Sequence, residues 1–124
     1  MGYKEIYNSW KNDPESFWMT AADAIDWVKK PSKALFSERA PLFEWFCDSE
    51  VNTCYNAVDR HGLNGRADQK AIIYDSPMTD TKYSITFSEL LEKVATLAGA
   101  LISKGISKGD RVIIYMPMVP EGII

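Results

Sequence analysis

The sequence holds a single histidine and two cysteines, too few ligands for a metal centre. Cys47 and Cys54 stand at a spacing that fits no common zinc pattern. Their default reading is a pair of buried thiols kept reduced. Excess positive charge is missing too. Fourteen Lys and Arg face seventeen Asp and Glu, a net charge of −3. The chain therefore offers no electrostatic footprint for nucleic acid or an anionic membrane surface, and neither is expected as a partner. Long apolar runs are lacking as well. The longest, Val112 to Pro120, is interrupted by Pro117 and falls well short of the ~20 residues a membrane-spanning helix requires. The N-terminus from Met1 to Ile6 has no apolar signal core, and Ile6 stands where a myristoylation signal requires Ser or Thr. The chain reads as soluble and cytoplasmic.

The motifs of chemistry are equally scarce. No Gly-rich phosphate loop followed by Lys-Ser or Lys-Thr occurs, and no GxGxxG lies between a strand and a helix. The basic, glycine-containing stretch from His61 to Arg66 offers a weak anion-binding reading, but such stretches usually just end a helix. Asp59, Arg60 and His61 are consecutive, and consecutive helical side chains point in different directions, so they do not converge as an acid/base cluster. Ser84, Ser88 and Ser103 lack a Gly-x-Ser-x-Gly context. Lys104 and Lys108 flank a helix C-terminus, where cations suit the dipole. No catalytic, cofactor-binding or metal-binding residue is assigned.

What is present is a pattern of elements. Tyr3, Ile6, Tyr7 and Trp10 make a short apolar stripe. Asp13-Pro14 announces a helix, with Asp as N-cap and Pro at the first position, and Trp18, Ala21, Ala22 and Ile25 as its buried face. From Val28 to Cys47, Pro31 and Pro41 break up regular structure, and the aromatic residues are expected to anchor a segment that wraps over a surface. Without interleaved basic residues they do not make a platform for stacked bases. Asn52 is placed to cap a helix carrying Tyr55 and Val58, which is expected to end at Gly62. A loop from Gly62 to Asp68 should follow.

Ala71–Tyr74 and Tyr83–Thr86 read as the strands of a hairpin joined through Asp75 to Lys82. Thr86 and Glu89 then form a capping box, with Ile85 and Leu90 as its hydrophobic staple. Leu90, Leu91, Val94, Leu97, Ala98, Leu101 and Ile102 repeat with helical spacing. Gly105 stops that helix, and Ile106 is placed to fold back on its last turn. After a turn at Lys108-Gly109-Asp110, Arg111 to Met116 lacks polar alternation and reads as a strand covered on both faces, so that a β-α-β crossover begins a larger sheet. Pro120-Glu121 has the look of a helix start. A strand of that kind needs cover that the last residues do not supply, which suggests that the sequence is part of a longer chain.

Four blocks carry a resemblance. They are Asn52 to His61, Lys70 to Tyr74, Ile85 to Leu90 and Lys108 to Glu121. In order and spacing these resemble the N-terminal region of short-chain acyl-CoA synthetases, members of the adenylate-forming superfamily. Pro14 to Trp18, Ile25 to Trp27 and Trp45 to Cys47 are closer to the propionyl-CoA synthetases than to the acetyl-CoA synthetases. The resemblance implies an α/β fold, or α+β for a fragment. It also implies an α-rich N-terminal extension over residues 1–68 and the first strands and helix of a large AMP-binding domain over residues 69–124. It implies a parent enzyme that uses ATP, CoA and Mg²⁺ to activate propionate or acetate. The family's phosphate-binding loop, acyl pocket and catalytic lysine map onto no residue here. The expected partner is the remainder of such an enzyme, and the alternative is a self-contained module that associates with itself through its exposed strand.

Overall fold

The computed structural model describes residues 2–124, and its elements divide into two compact units that meet in sequence at Asn56 and Ala57. In the first unit, α1 (Tyr3–Asn12) starts where the Glu5 carboxylate accepts the Gly2 N–H at 2.8 Å. Its predicted stripe forms a ladder, with Tyr3 and Tyr7 centroids 6.1 Å apart and Tyr7 and Trp10 centroids 5.8 Å apart. All three rings remain exposed. Asp13 caps α2 (Pro14–Ala22) as its position predicts, its carboxylate accepting the Ser16 N–H at 3.0 Å. The buried face of α2 is narrower than expected. Ala22 is buried and Phe17 half-buried, whereas Ile25 lies beyond the helix and Trp18 stays at the surface, edge-on to Trp45 at 5.6 Å.

The stretch expected to be irregular contains four very short strands. β1 (Trp27–Lys29) pairs antiparallel with β4 (Glu50–Val51), and β2 (Leu35–Phe36) pairs antiparallel with β3 (Glu44–Trp45). Such brief ladders need help from side chains, and three provide it. Glu15 accepts the N–H of the buried Ala34 at 2.6 Å. Trp27 Nε1 donates to the Ala22 carbonyl at 2.7 Å. The Asn56 carboxamide donates to the Asp26 carbonyl and accepts the Asp26 N–H, both at 2.9 Å, much as a neighbouring strand would.

Asn52 caps the next helical stretch as predicted, its Oδ1 accepting the Tyr55 N–H at 2.9 Å. The stretch does not stop at Gly62. It widens into π turns at Tyr55–Asp59 and Gly62–Arg66, and the left-handed residue is Gly65, at φ +78°. Glycine permits a left-handed conformation without demanding one, so composition alone did not distinguish the two glycines.

In the second unit, β5 (Lys70–Ser76) and β6 (Thr81–Thr86) form the predicted hairpin. Ile72 faces Ile85, Tyr74 faces Tyr83 and Asp75 faces Lys82 across the ladder. Pairing extends further than the sequence suggested, leaving residues 77–80 as the connection, with Asp80 at φ +48°. Asp is one of the few residues that tolerates this region.

α3 (Phe87–Ser103) begins at the predicted capping box. Glu89 N–H donates to Thr86 Oγ1 at 3.2 Å, and Thr86 N–H donates back to the Glu89 carboxylate at 2.8 Å. The staple residues Ile85 and Leu90 join Val58 in the core, flanked by the partly buried Ala71, Ile72, Leu91, Val94 and Ile124. The helix ends in a Schellman motif. Gly105, at φ +89°, donates to the Ile102 carbonyl at 2.9 Å, and Ile106 donates to the Leu101 carbonyl at 3.1 Å.

Helices and small antiparallel sheets give the α/β class that the sequence predicts. The crossover is different. Among the described residues the sheets are three antiparallel pairs, and Arg111 to Met116 belongs to none of them. Ile113 is 88% exposed and Tyr115 98% exposed. A strand needs a neighbour with free N–H and C=O groups along its length. Here β5 and β6 pair with each other and no described strand pairs with Arg111 to Met116, so its composition is that of a buried strand while it joins no sheet. The same lack of cover leaves the second half of the α3 apolar face open, with Leu97 and Ile102 at the surface. The chain then closes in a single 3₁₀ turn, Pro120–Gly122, in which Pro120 is buried.

Candidate functional site

Several of the residues weighed for chemistry have structural occupations. His61 Nδ1 lies 3.1 Å from Arg66 Nη1, and its ring lies 4.8 Å from the Phe87 ring. Arg66 in turn donates from Nε to Gln69 Oε1 at 2.6 Å and covers the Phe87 ring at 5.3 Å. Two backbone bonds hold this cluster at the start of α3. Phe87 N–H donates to the Gln69 carbonyl and Ser88 N–H donates to the Ala67 carbonyl, both at 3.0 Å. Sequence reasoning noted His61 and Arg66 but missed Phe87 and Gln69. Periodicity gives no signal for a contact made by a π-turn.

The serines lie within regular elements. Ser103 donates its hydroxyl to the Ala100 carbonyl at 2.8 Å, closing its own helix, and Ser84 sits within β6. The Lys104 backbone N–H closes α3, and Lys108 lies in a turn that Asp110 organises by accepting the Ser107 N–H at 2.7 Å. The two thiols correct the sequence reading. Cys47 and Cys54 are exposed and form no disulfide. Cys47 follows Phe46, whose ring turns toward Trp27 at 5.6 Å while the small sulfhydryl is left outside.

Shifted protonation equilibria follow the same pattern. The Thr86 backbone N–H, then its hydroxyl, holds the Glu89 carboxyl below its ordinary value. Bonding from Ser16 does the same for Asp13. Burial, then Glu121 and Tyr74, pushes the Tyr83 phenol up. Asp13 and Glu89 are helix caps, whereas Asp48, bonded from Ser32, and Glu38, bonded from its own backbone N–H, are lowered outside any helix end.

Two open grooves flank the second unit. One of about 750 Å³ is walled by Tyr83, Ile85, Leu97, Pro120 and Ile124, with Glu89 and Glu92 at its side. The other, about 580 Å³, is apolar, lined by Ile72, Ile73, Ile114, Met116 and Met118 among others. Among the described residues no three His, Cys, Asp or Glu side chains gather to hold a metal ion.

The comparisons divide the chain much as its backbone does. The profile described as acetyl-coenzyme A synthetase N-terminus matches residues 3–57. The profile described as AMP-binding enzyme matches residues 59–124. The chain belongs to the family of AMP-binding enzymes. Its similarity within that family is to short-chain acyl-CoA synthetases. It is 50% identical over 121 residues to acyl-CoA synthetase short-chain family member 3, mitochondrial, of Mus musculus, covering 98% of this chain and 18% of the relative. It is 40% identical over 123 residues to acetyl-coenzyme A synthetase of Paraburkholderia phymatum, covering 98% and 18%. To propionate–CoA ligase of Salmonella typhimurium it is 40% identical over 124 residues, covering 100% and 20%. The chain thus spans about a fifth of the length of these relatives. No helix among the described residues is long and apolar enough to cross a membrane.

Proposed function

We propose that these residues form the N-terminal scaffold of an ATP-dependent short-chain acyl-CoA synthetase. The reaction joins propionate or acetate to ATP, giving an acyl-adenylate and pyrophosphate. The thiol of CoA then takes the acyl group and AMP leaves. The reading rests on one observation: both family profiles match in order along almost the whole chain. Residues 1–68 serve as the α-rich extension and residues 69–124 open the adenylation domain, whose first long strand begins at Lys70. ATP, CoA and Mg²⁺ are bound by parts of the enzyme outside these residues, and the scaffold is inactive alone. The remainder of the enzyme is the partner that covers the exposed apolar segment.

The test is propionate- or acetate-dependent exchange of pyrophosphate into ATP. The purified 124-residue chain should give none above a substrate-free blank, and sustained exchange would overturn the scaffold reading. A coding sequence that continues past Ile124 into a Ser/Thr/Gly-rich loop ending in lysine supports the synthetase. A stop codon directly after Ile124 points instead to the second reading, a module that pairs with itself. The exposure of Ile113, Tyr115 and Met118 favours that alternative.

A further inference from the structure

Asparagine is chemically labile, and its lability depends on how firmly its carboxamide and the next backbone nitrogen are held. The asparagines of this chain are Asn8, Asn12, Asn52, Asn56 and Asn64, and all but the last are held. Asn8 lies inside α1, where helical hydrogen bonding fixes the backbone around it. After Asn12, the Asp13 N–H is tied to the Ser9 carbonyl at 3.1 Å. The Asn52 carboxamide caps Tyr55, and that of Asn56 is bonded at both ends to Asp26. Asn64 is exposed, and among the described residues no hydrogen bond holds its carboxamide. It alone precedes a glycine. Asn64, at φ −92° and ψ 25°, and Gly65, at φ 78° and ψ 17°, also interrupt the helical backbone of their stretch. Nothing beyond the chain neighbours lies within 4 Å of the place where a Gly65 side chain would stand, so the peptide between the two residues has room to rotate.

We propose that Asn64 is a modification site at which the folded chain deamidates itself, with water as the only co-reactant. The Gly65 amide nitrogen gives up its proton and attacks Asn64 Cγ. A C–N bond forms, the bond from Cγ to the carboxamide nitrogen breaks, and ammonia leaves with the proton. The attack requires Asn64 ψ to turn well away from 25°. A side chain on the following residue would crowd that movement, and glycine has none. Water then opens the cyclic imide at either carbonyl. Opening at Cγ leaves aspartate, and opening at the main-chain carbonyl leaves isoaspartate, whose backbone is longer by a methylene. No atom changes its oxidation state. Both products put a carboxylate into the Gly62–Arg66 turn, close in sequence to the Arg66 that covers the Phe87 ring and donates to Gln69. The modification thus adds negative charge to the turn that seats Arg66 on the start of α3, and in the isoaspartyl form it lengthens the backbone of that turn.

To test this, the intact 124-residue chain is aged in mildly alkaline buffer without denaturant and cut with trypsin at intervals, with an unaged sample as blank. Cleavage after Arg60 and Arg66 releases the peptide His61–Arg66, whose asparaginyl, aspartyl and isoaspartyl forms separate by reversed-phase chromatography. Both acidic forms should accumulate several-fold faster than amide nitrogen is lost at Asn8, Asn12, Asn52 or Asn56. Their rate should rise with pH, because the attacking nitrogen must lose a proton. Asn64→Gln, which would have to close a larger ring, should abolish them, and its exposed position leaves the fold intact. Equal rates at all the asparagines, or an Asn64 amide kept in the folded chain and lost only in urea, overturn the proposal. So does an aspartyl product without its isoaspartyl isomer, the mark of direct hydrolysis with no ring.

Discussion

Leu90→Ala and Ile113→Ala test directly which apolar residues the fold covers. Leu90 is 6% exposed and packs with Val58 and Ile85. Truncation to alanine removes three carbons at about 0.8 kcal/mol each, or about 2.4 kcal/mol. A residual cavity adds to that figure, but the neighbours Ala71, Leu91 and Val94 are only partly buried and free to close in. The expected loss is therefore about 2–3 kcal/mol, toward the low end for leucine in a core. Ile113 is 88% exposed, and its truncation should cost no more than about 0.5 kcal/mol. Urea unfolding followed by far-UV circular dichroism should show a midpoint lowered by about 1–2 M for Leu90→Ala. For Ile113→Ala it should be nearly unchanged. Equal losses for the two variants would refute the assignment of burial, and would mean that the Arg111 to Met116 segment is covered in solution.

Three further outcomes follow from the helix ends. Thr86→Ala should destabilise by about 1 kcal/mol through loss of the cap, with Thr86→Ser recovering most of it, as read by thermal unfolding. Gly105→Ala should cost about 1–2 kcal/mol, because an alanine at φ +89° meets the left-handed penalty, and the same measurement reads it. The caps also set a pH dependence. Glu89 and Asp13 have lowered values in the folded chain, so their stabilisation is fully present above the ordinary carboxylate range, near pH 4. It is lost as the pH falls through the lowered folded values. Glu89→Gln, whose amide oxygen still accepts from Thr86, should flatten the acid limb of the helicity curve, and an unaltered limb would argue against the capping bond.

The elements with local signatures were legible in the sequence. Asp13-Pro14, the Thr86 and Glu89 pair, Ile85 with Leu90, and Gly105 with Ile106 each encode a helix end within a few residues, and each is found as read. The hairpin was legible because β-branched and aromatic residues flank a polar connection. Non-local features were not. The four brief strands between Trp27 and Val51 depend on bonds such as Glu15 to Ala34, nineteen residues apart, which no periodicity announces. The Arg111 to Met116 segment failed in the opposite way. Its composition was read correctly as apolar on both faces, but composition does not name the neighbour that a strand must have. At the candidate site the sequence set aside Ser84, Ser88 and Ser103 because no Gly-x-Ser-x-Gly surrounds them. It placed the two cysteines wrongly because thiol burial depends on which larger side chains compete for the interior.

The crowding of indole rings in the first unit has a spectroscopic consequence. All four tryptophans, Trp10, Trp18, Trp27 and Trp45, precede Asn56, and none lies in the second unit. Emission excited at the red edge of their absorption therefore follows only residues before Asn56, whereas α3, the longest helix, dominates the ellipticity of what comes after. Melting curves recorded by the two signals separate the cooperativity of one half from that of the other without any label.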